Sequence, residues 1–132
     1  MKDIIFDDFQ VIVNESLIRH RSILDIITKL EESQSKINRA IAKSVTNCGC
    51  IKISAEKQKI AYKDIESGNI TKSINSHIEG NLCENCKEII EKEIGHNLFY
   101  ITSLCSILNL NLYDIFLKEY DKINILDKYA LR

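Results

Sequence analysis

Not one of the 132 residues is proline. Average usage near 5% would supply roughly six or seven in a chain of this length. A helix interior excludes proline, because the ring removes a hydrogen bond and clashes with the preceding turn. A proline-free chain that carries long apolar stripes therefore points to an all-α fold. The length fits one domain, 1–132, large enough as a bundle to bury a core.

Two stretches carry the stripes. Over 15–46, Leu17, Leu24, Ile27, Gln34, Ile37, Ile41 and Val45 recur at three- and four-residue steps and share one helical face. Glu31 falls on the same stripe. A carboxylate there is costly to bury unless it is paired or bound to a metal, and the plain alternative is a place at the stripe's edge in solvent. Glu32, Lys36 and Arg39 form the solvated flank.

Over 83–124, Ile90, Ile94, Asn97, Ile101, Leu104 and Leu108 make a second stripe, which Leu98 and Cys105 widen. Cys105 reads as a core residue. Asn111, with Asp114 three residues on, has the form of an N-cap with a carboxylate in the first turn. Leu112, Ile115, Phe116, Tyr120 and Ile123 continue as a further stripe. The connection is short, so an antiparallel helical hairpin is expected. Residues 1–13 fit either a short helix or an extended arm. Asn14 or Ser16 is expected to cap the helix over 15–46, with Glu15 in its first turn.

Residues 47–82 read as an insertion between these halves. Gly49 ends or bends the first helix. Residues 51–65 mix a β-like alternation with a helical pattern, in which Ser54 could start a short helix. Residues 66–82 are rich in Ser, Asn and Gly and read as a loop with one helical turn.

The cysteines are the most specific chemical signal. Cys48-x-Cys50 and Cys83-x-x-Cys86 are two close pairs separated by 32 residues. Tetrahedral zinc takes four soft ligands, and Cys-x-x-Cys at a loop-to-helix junction is a usual half-site. One pair closes a helix and the other opens one, so antiparallel helices would bring both to the same end. Two other readings stand beside a shared zinc site: thiols without a ligand, and a redox couple. In the redox reading Cys86 is favoured as the reactive thiol, because a helix N-terminus lowers thiol pKa.

Net charge is −1 with both signs intermixed and no basic block, which argues against nucleic acid as a partner. No run approaches the roughly 20 apolar residues of a membrane span. The acidic start lacks the basic and apolar regions of a signal peptide. A cytoplasmic protein is expected, where cysteines serve as metal ligands or free thiols before disulfides.

The C-terminal hairpin also carries a resemblance. Glu93-Ile-Gly-His-Asn-Leu-Phe-Tyr100, then Leu108-Asn-Leu-Asn-Leu-Tyr-Asp114 and Lys118, resembles the third and fourth helices of MazG-like nucleoside triphosphate pyrophosphohydrolases. Lys29-Leu-Glu-Glu-Ser-Gln-Ser35 resembles that family's E-E-x-x-E helix. The match covers roughly 24–42 and 88–122. It implies an all-α bundle, a homodimer, and carboxylates that hold Mg²⁺ on a nucleotide or related phosphate ligand. Glu31 and Glu32 match the first two carboxylates, and Glu93 matches the first of E-x-x-D. Ser35 and His96 stand where the third glutamate and the aspartate belong. Lys118 would contact phosphate, and Lys122 falls where the family often has asparagine.

Mg²⁺ prefers oxygen ligands in octahedral geometry, and phosphoryl chemistry depends on it. Three function classes are open. The first is a catalytically degenerate MazG-like protein acting as a binding or regulatory module, its insertion fixed by zinc. The second is an active Mg²⁺-dependent pyrophosphohydrolase using Glu31, Glu32, Glu93 and His96. The third is a thiol redox switch. Glu93-x-x-His96 is also the i, i+3 spacing of di-iron bundles, although a second such motif would have to come from another copy. The plain reading of His96 is a surface or polar-contact residue. His20 and His77 read as surface or loop residues.

Overall fold

The computed structural model describes residues 2–17, 21–68 and 74–126. Of these described residues 73% are helical and 5% strand, an all-α class. In order it runs α1 (Lys2–Ser16), α2 (Ile23–Lys43), a π-helical turn (Ser44–Cys48), β1 (Ile51–Ile53), α3 (Tyr62–Ser67), β2 (Ile78–Gly80), α4 (Glu84–Ile107) and α5 (Leu112–Leu126). The chain divides into two compact units, 1–35 with 93–132, and 36–92. Among the described residues no single helix is long and apolar enough to cross a membrane.

The first unit buries Val13, Leu17, Ile26 and Cys105. The buried hydroxyls Thr102 and Ser103 donate back to the carbonyls of Leu98 (2.6 Å) and Phe99 (2.7 Å), so neither is left unpaired in the core. Within the stretch 1–13, residues 2–13 lie in α1 and are helical rather than extended. The expected caps are corrected. Ser16 lies inside α1 and donates to the Ile12 carbonyl, while the Arg21 guanidinium closes on the Asn14 carbonyl at 3.0 Å. The residue that starts α2 is Ser22, whose Oγ accepts from the Leu24 N–H at 3.3 Å. The helix expected over 15–46 thus begins at Ile23, and residues 18–20, including His20, lie outside the described residues.

The corner after α4 is also corrected. α4 and α5 meet at a bend of 107° rather than folding back antiparallel. Asn109 takes the left-handed conformation (φ 57°), and the Leu110 N–H reaches the Cys105 carbonyl at 2.8 Å, a Schellman-type close. Gln10 of α1 then clamps the corner from the side. Its amide nitrogen donates to the Leu110 carbonyl (2.8 Å), and its amide oxygen accepts from the Leu112 N–H (2.9 Å). Asn111 caps α5 as its residue type suggests, its Oδ1 accepting from the Asp114 N–H at 2.9 Å. The neighbour of α5 is α1. Phe6 stacks on Tyr113 and Phe116, while Gln10 meets 110–112, so these two helices run antiparallel.

The second unit holds the insertion. β1 and β2 pair antiparallel, Ile51 opposite Gly80, Lys52 opposite Glu79 and Ile53 opposite Ile78. The long excursion between them is clasped by Gln58, which donates to the Asn75 carbonyl (2.6 Å) and accepts from the Asn75 N–H (2.8 Å). Ser54 starts no helix. Its N–H instead extends the ladder to the His77 carbonyl at 2.9 Å, and the short helix comes later, at Tyr62. Among the described residues of this unit, Ile37, Ile51, Cys86 and Ile90 are the buried apolar ones and Ser44 the buried hydroxyl.

Candidate metal centre

Three local structures deliver four sulfurs to one place. The end of α2 widens into a π turn, closed by the Gly49 N–H on the Ser44 carbonyl at 2.9 Å. Gly49 holds φ 78°, a left-handed cap that ends the helix and carries the chain from Cys48 to Cys50. Cys50 leads directly into β1, and β2 ends three residues before Cys83. Antiparallel pairing of Ile51 with Gly80 therefore puts the entry to the first strand and the exit of the second at one end. α4 starts at Glu84, so Cys83 sits just outside the helix and Cys86 in its first turn.

The result is that the Sγ atoms of Cys48, Cys50, Cys83 and Cys86 all lie within 4.8 Å of one another. Cys48 and Cys83 are 3.8 Å apart. The four thiols could hold a metal ion. Among the described residues they form the one group of three or more Cys, His, Asp or Glu side chains that converges in this way. Cys86 is the buried member and Cys48 the exposed one, with Cys50 and Cys83 between.

Backbone groups organise the sulfurs. The Cys86 N–H points at the Cys83 Sγ at 3.4 Å, and Cys50 Sγ lies 3.8 Å from the Ser44 carbonyl. The Cys86 N–H, and then the Cys86 side chain, pull the Cys83 thiol down to about 7. At Cys48 the Cys50 N–H pulls downward, as does the Cys86 side chain, but the Cys83 and Cys50 side chains and desolvation together leave this thiol above its ordinary value. At Cys86 the Ser44 side chain lowers the pKa, while the Cys83 thiol and burial raise it further, to about 12. Cys83 rather than Cys86 is therefore the acidic thiol. Helix position alone favours Cys86, but the N–H of that first turn is spent on Cys83. Cys105 is buried in the first unit, and desolvation pushes its thiol up.

Two residues that support the site carried no sequence signal. Ser44 is 1% exposed, and its carbonyl receives both the Gly49 N–H and the Cys50 thiol. Gly80 packs so closely on Cys50 that only hydrogen fits between them.

The carboxylate candidates lie in the first unit. Glu93 is mostly buried, 17% exposed, and its Oε1 lies 3.4 Å from Nδ1 of the more exposed His96. Glu31 and Glu32 are exposed on α2, with Glu32 3.5 Å from Lys29. These four do not gather three or more donors on a single point. Lys118 and Lys122 are exposed on α5. His77 is half-buried at the foot of β2 with φ 63°. No protein-family model, curated protein or solved structure matches the chain.

Proposed function

We propose that this chain is a MazG-like helical protein that has lapsed as a hydrolase and serves as a binding or regulatory module. In this reading its insertion is held by a structural zinc ion on Cys48, Cys50, Cys83 and Cys86. The observation that carries the zinc is the convergence of the four sulfurs within 4.8 Å. A tetrahedron with Zn–S arms of about 2.3 Å has edges of about 3.8 Å. The Cys48–Cys83 separation of 3.8 Å already has that length, so binding requires only small movements of the other sulfurs. Protein side chains supply all four corners. That closed coordination belongs to structural zinc, whereas catalytic zinc keeps a position for water.

The module reading draws support from the first unit. The partner of Glu93 is an imidazole instead of a second carboxylate, and imidazole is a poor match for Mg²⁺. The class of ligand implied by the resemblance is a nucleotide or another phosphate compound.

The test is metal analysis of tag-free protein purified without chelator, by native mass spectrometry. About one zinc per chain is expected, lost in Cys83→Ser together with a fall in melting temperature. Absence of zinc, with Cys83→Ser melting like the parent, overturns the structural zinc. Iron or manganese without zinc would move the site to Glu32, Glu93 and His96 and reopen catalysis.

A further inference from the structure

The four sulfurs do not share their surroundings equally. Cys48 faces the Cys50 N–H, and Cys83 accepts from the Cys86 N–H at 3.4 Å. Cys86 has no such backbone donor among the described residues; what reaches it is the Ser44 side chain. Ser44 and Cys86 also line one cleft of about 240 Å³, with Ala40, Lys43 and Ile89 among its walls. From its other side Ser44 meets Cys50, whose Sγ is 3.8 Å from the Ser44 carbonyl.

Burial makes the difference at Cys86 matter. Cys48, Cys50 and Cys83 keep some exposure, so water can approach them, whereas Cys86 is buried. Metals bind thiolates, so each thiol must give its proton to solvent as the ion enters. Four thiolates outweigh the charge of a divalent ion, and a buried one without a donor carries its full desolvation cost. Ser44 is 1% exposed, and in the metal-free chain its hydroxyl donates to the Ala40 carbonyl at 3.0 Å. A bond back to the i−4 carbonyl does little for a helix, so the hydroxyl can leave it at small cost.

We propose that the Ser44 hydroxyl is the positioning donor of the metal centre. When an ion takes Cys86 as a thiolate, the hydroxyl turns from the Ala40 carbonyl to the Cys86 sulfur and holds it in place. The inference rests on the structural-zinc reading and adds to it the residue that sets the affinity. An anionic sulfur is the stronger acceptor, which gives the turn its direction. Groups that hydrogen-bond a metal's ligands from behind are worth roughly 10- to 100-fold in metal affinity.

The experiment measures zinc affinity of the full chain by competition with a chelating dye, for the parent, Ser44→Ala and Ser44→Thr. Each protein is then loaded with Co²⁺ and its sulfur-to-metal charge-transfer band recorded. Ser44→Ala should bind zinc roughly 10-fold or more weakly, and its band should move to lower energy because a sulfur has lost its donor. Ser44→Thr keeps the hydroxyl, and the cleft beside it has room for the extra methyl, so it should match the parent in both. If Ser44→Ala loses helical circular dichroism, a crystal structure of the zinc-loaded parent supplies the readout instead. There Ser44 Oγ should stand within hydrogen-bond distance of Cys86 Sγ, and its absence from that position overturns the proposal. Equal affinity and an equal band in parent and Ser44→Ala overturn it while leaving the zinc. Weaker binding with an unmoved band, or without recovery in Ser44→Thr, gives Ser44 a packing role alone and also overturns it. A parent that takes up no zinc removes the structural-zinc reading and this inference together.

Discussion

A Cβ placed on Gly80 would lie 2.6 Å from the carbonyl oxygen of Cys50. Gly80 also holds φ 87°, a region that L side chains rarely adopt. This contact presses the end of β2 onto the entry to β1 and so fixes Cys50 relative to Cys83. Gly80→Ala fails on both counts, since the backbone must leave its conformation and Cys50 must retreat. The expected cost is about 2 kcal/mol, with a fall in melting temperature of about 4–8 °C per kcal/mol for a small unit. Zinc competition with a chelating dye should show weaker binding as well. Gly49→Ala offers the comparison, because its φ of 78° is strained but no atom lies within 4 Å of the added methyl. Equal tolerance of both substitutions would show that the Gly80–Cys50 contact does not position the sulfurs.

In the metal-free reduced protein, Cys83 should alkylate first and Cys86 and Cys105 last. Cys83 receives the Cys86 N–H at 3.4 Å and its thiol is pulled down to about 7. Cys86 is buried and pushed up to about 12. Only the thiolate reacts, so the Cys83 rate should rise with pH through about 7 and level off above it. Peptide mapping after short iodoacetamide pulses reads the order. Fastest labelling at Cys86 would restore the order read from helix position alone.

Mild oxidation should join Cys48 to Cys83. Their sulfurs are 3.8 Å apart, and they are the less buried ends of the two pairs. Two thiols and one peroxide give a disulfide and two waters, so the chain loses about two protons and two electrons. Metal-loaded protein should resist, because the same sulfurs are bound. Tryptic mapping of diamide- or peroxide-treated protein identifies the pair. A Cys83–Cys86 bridge, or equal oxidation with and without zinc, would count against this arrangement.

Gln10→Ala should destabilise the first unit and leave the metal in place. The side chain supplies one donor to the Leu110 carbonyl and one acceptor to the Leu112 N–H. Losing both costs about 1–2 kcal/mol, toward the lower figure because water can reach the Leu110 carbonyl. Urea denaturation followed by helical signal, beside zinc content, separates the two units. Loss of zinc in this variant would show that the units are energetically coupled.

Local features could be read from the sequence. The Asn111–Asp114 cap needs only its own four residues, and the two cysteine pairs declare themselves by spacing at the ends of helical patterns. Features that depend on distant partners escaped. The 107° corner is held by Gln10, about a hundred residues away, and no periodicity in α4 or α5 encodes it. β1 and β2 are three residues each across a long excursion, too short for alternation to register. The stripes themselves misled in one respect. Leu24, Ile94, Leu98 and Leu108 lie on predicted core faces yet are exposed, because a 3.6-residue pattern marks an apolar face without saying what covers it.

The proposed MazG-like reading makes a claim about phosphate chemistry. Glu93 and His96 form an i, i+3 pair where the resembled family pattern has two carboxylates, and Ser35 stands at that pattern's third glutamate. Without that charge the chain should release no pyrophosphate from deoxynucleoside triphosphates in Mg²⁺. Restoring it gives the sharper test. In His96→Asp with Ser35→Glu, oxygen ligands stand at both positions, and Mg²⁺ affinity measured by calorimetry should rise about tenfold or more, a change of about 1.4 kcal/mol. Zinc content should not change, because the cysteines lie in the other unit. Robust hydrolysis by the unaltered chain, abolished by Glu93→Gln, would instead establish a working enzyme that manages with fewer carboxylates. No gain of Mg²⁺ affinity in the double variant would count against the resemblance itself, since its alignment places these two positions at the metal.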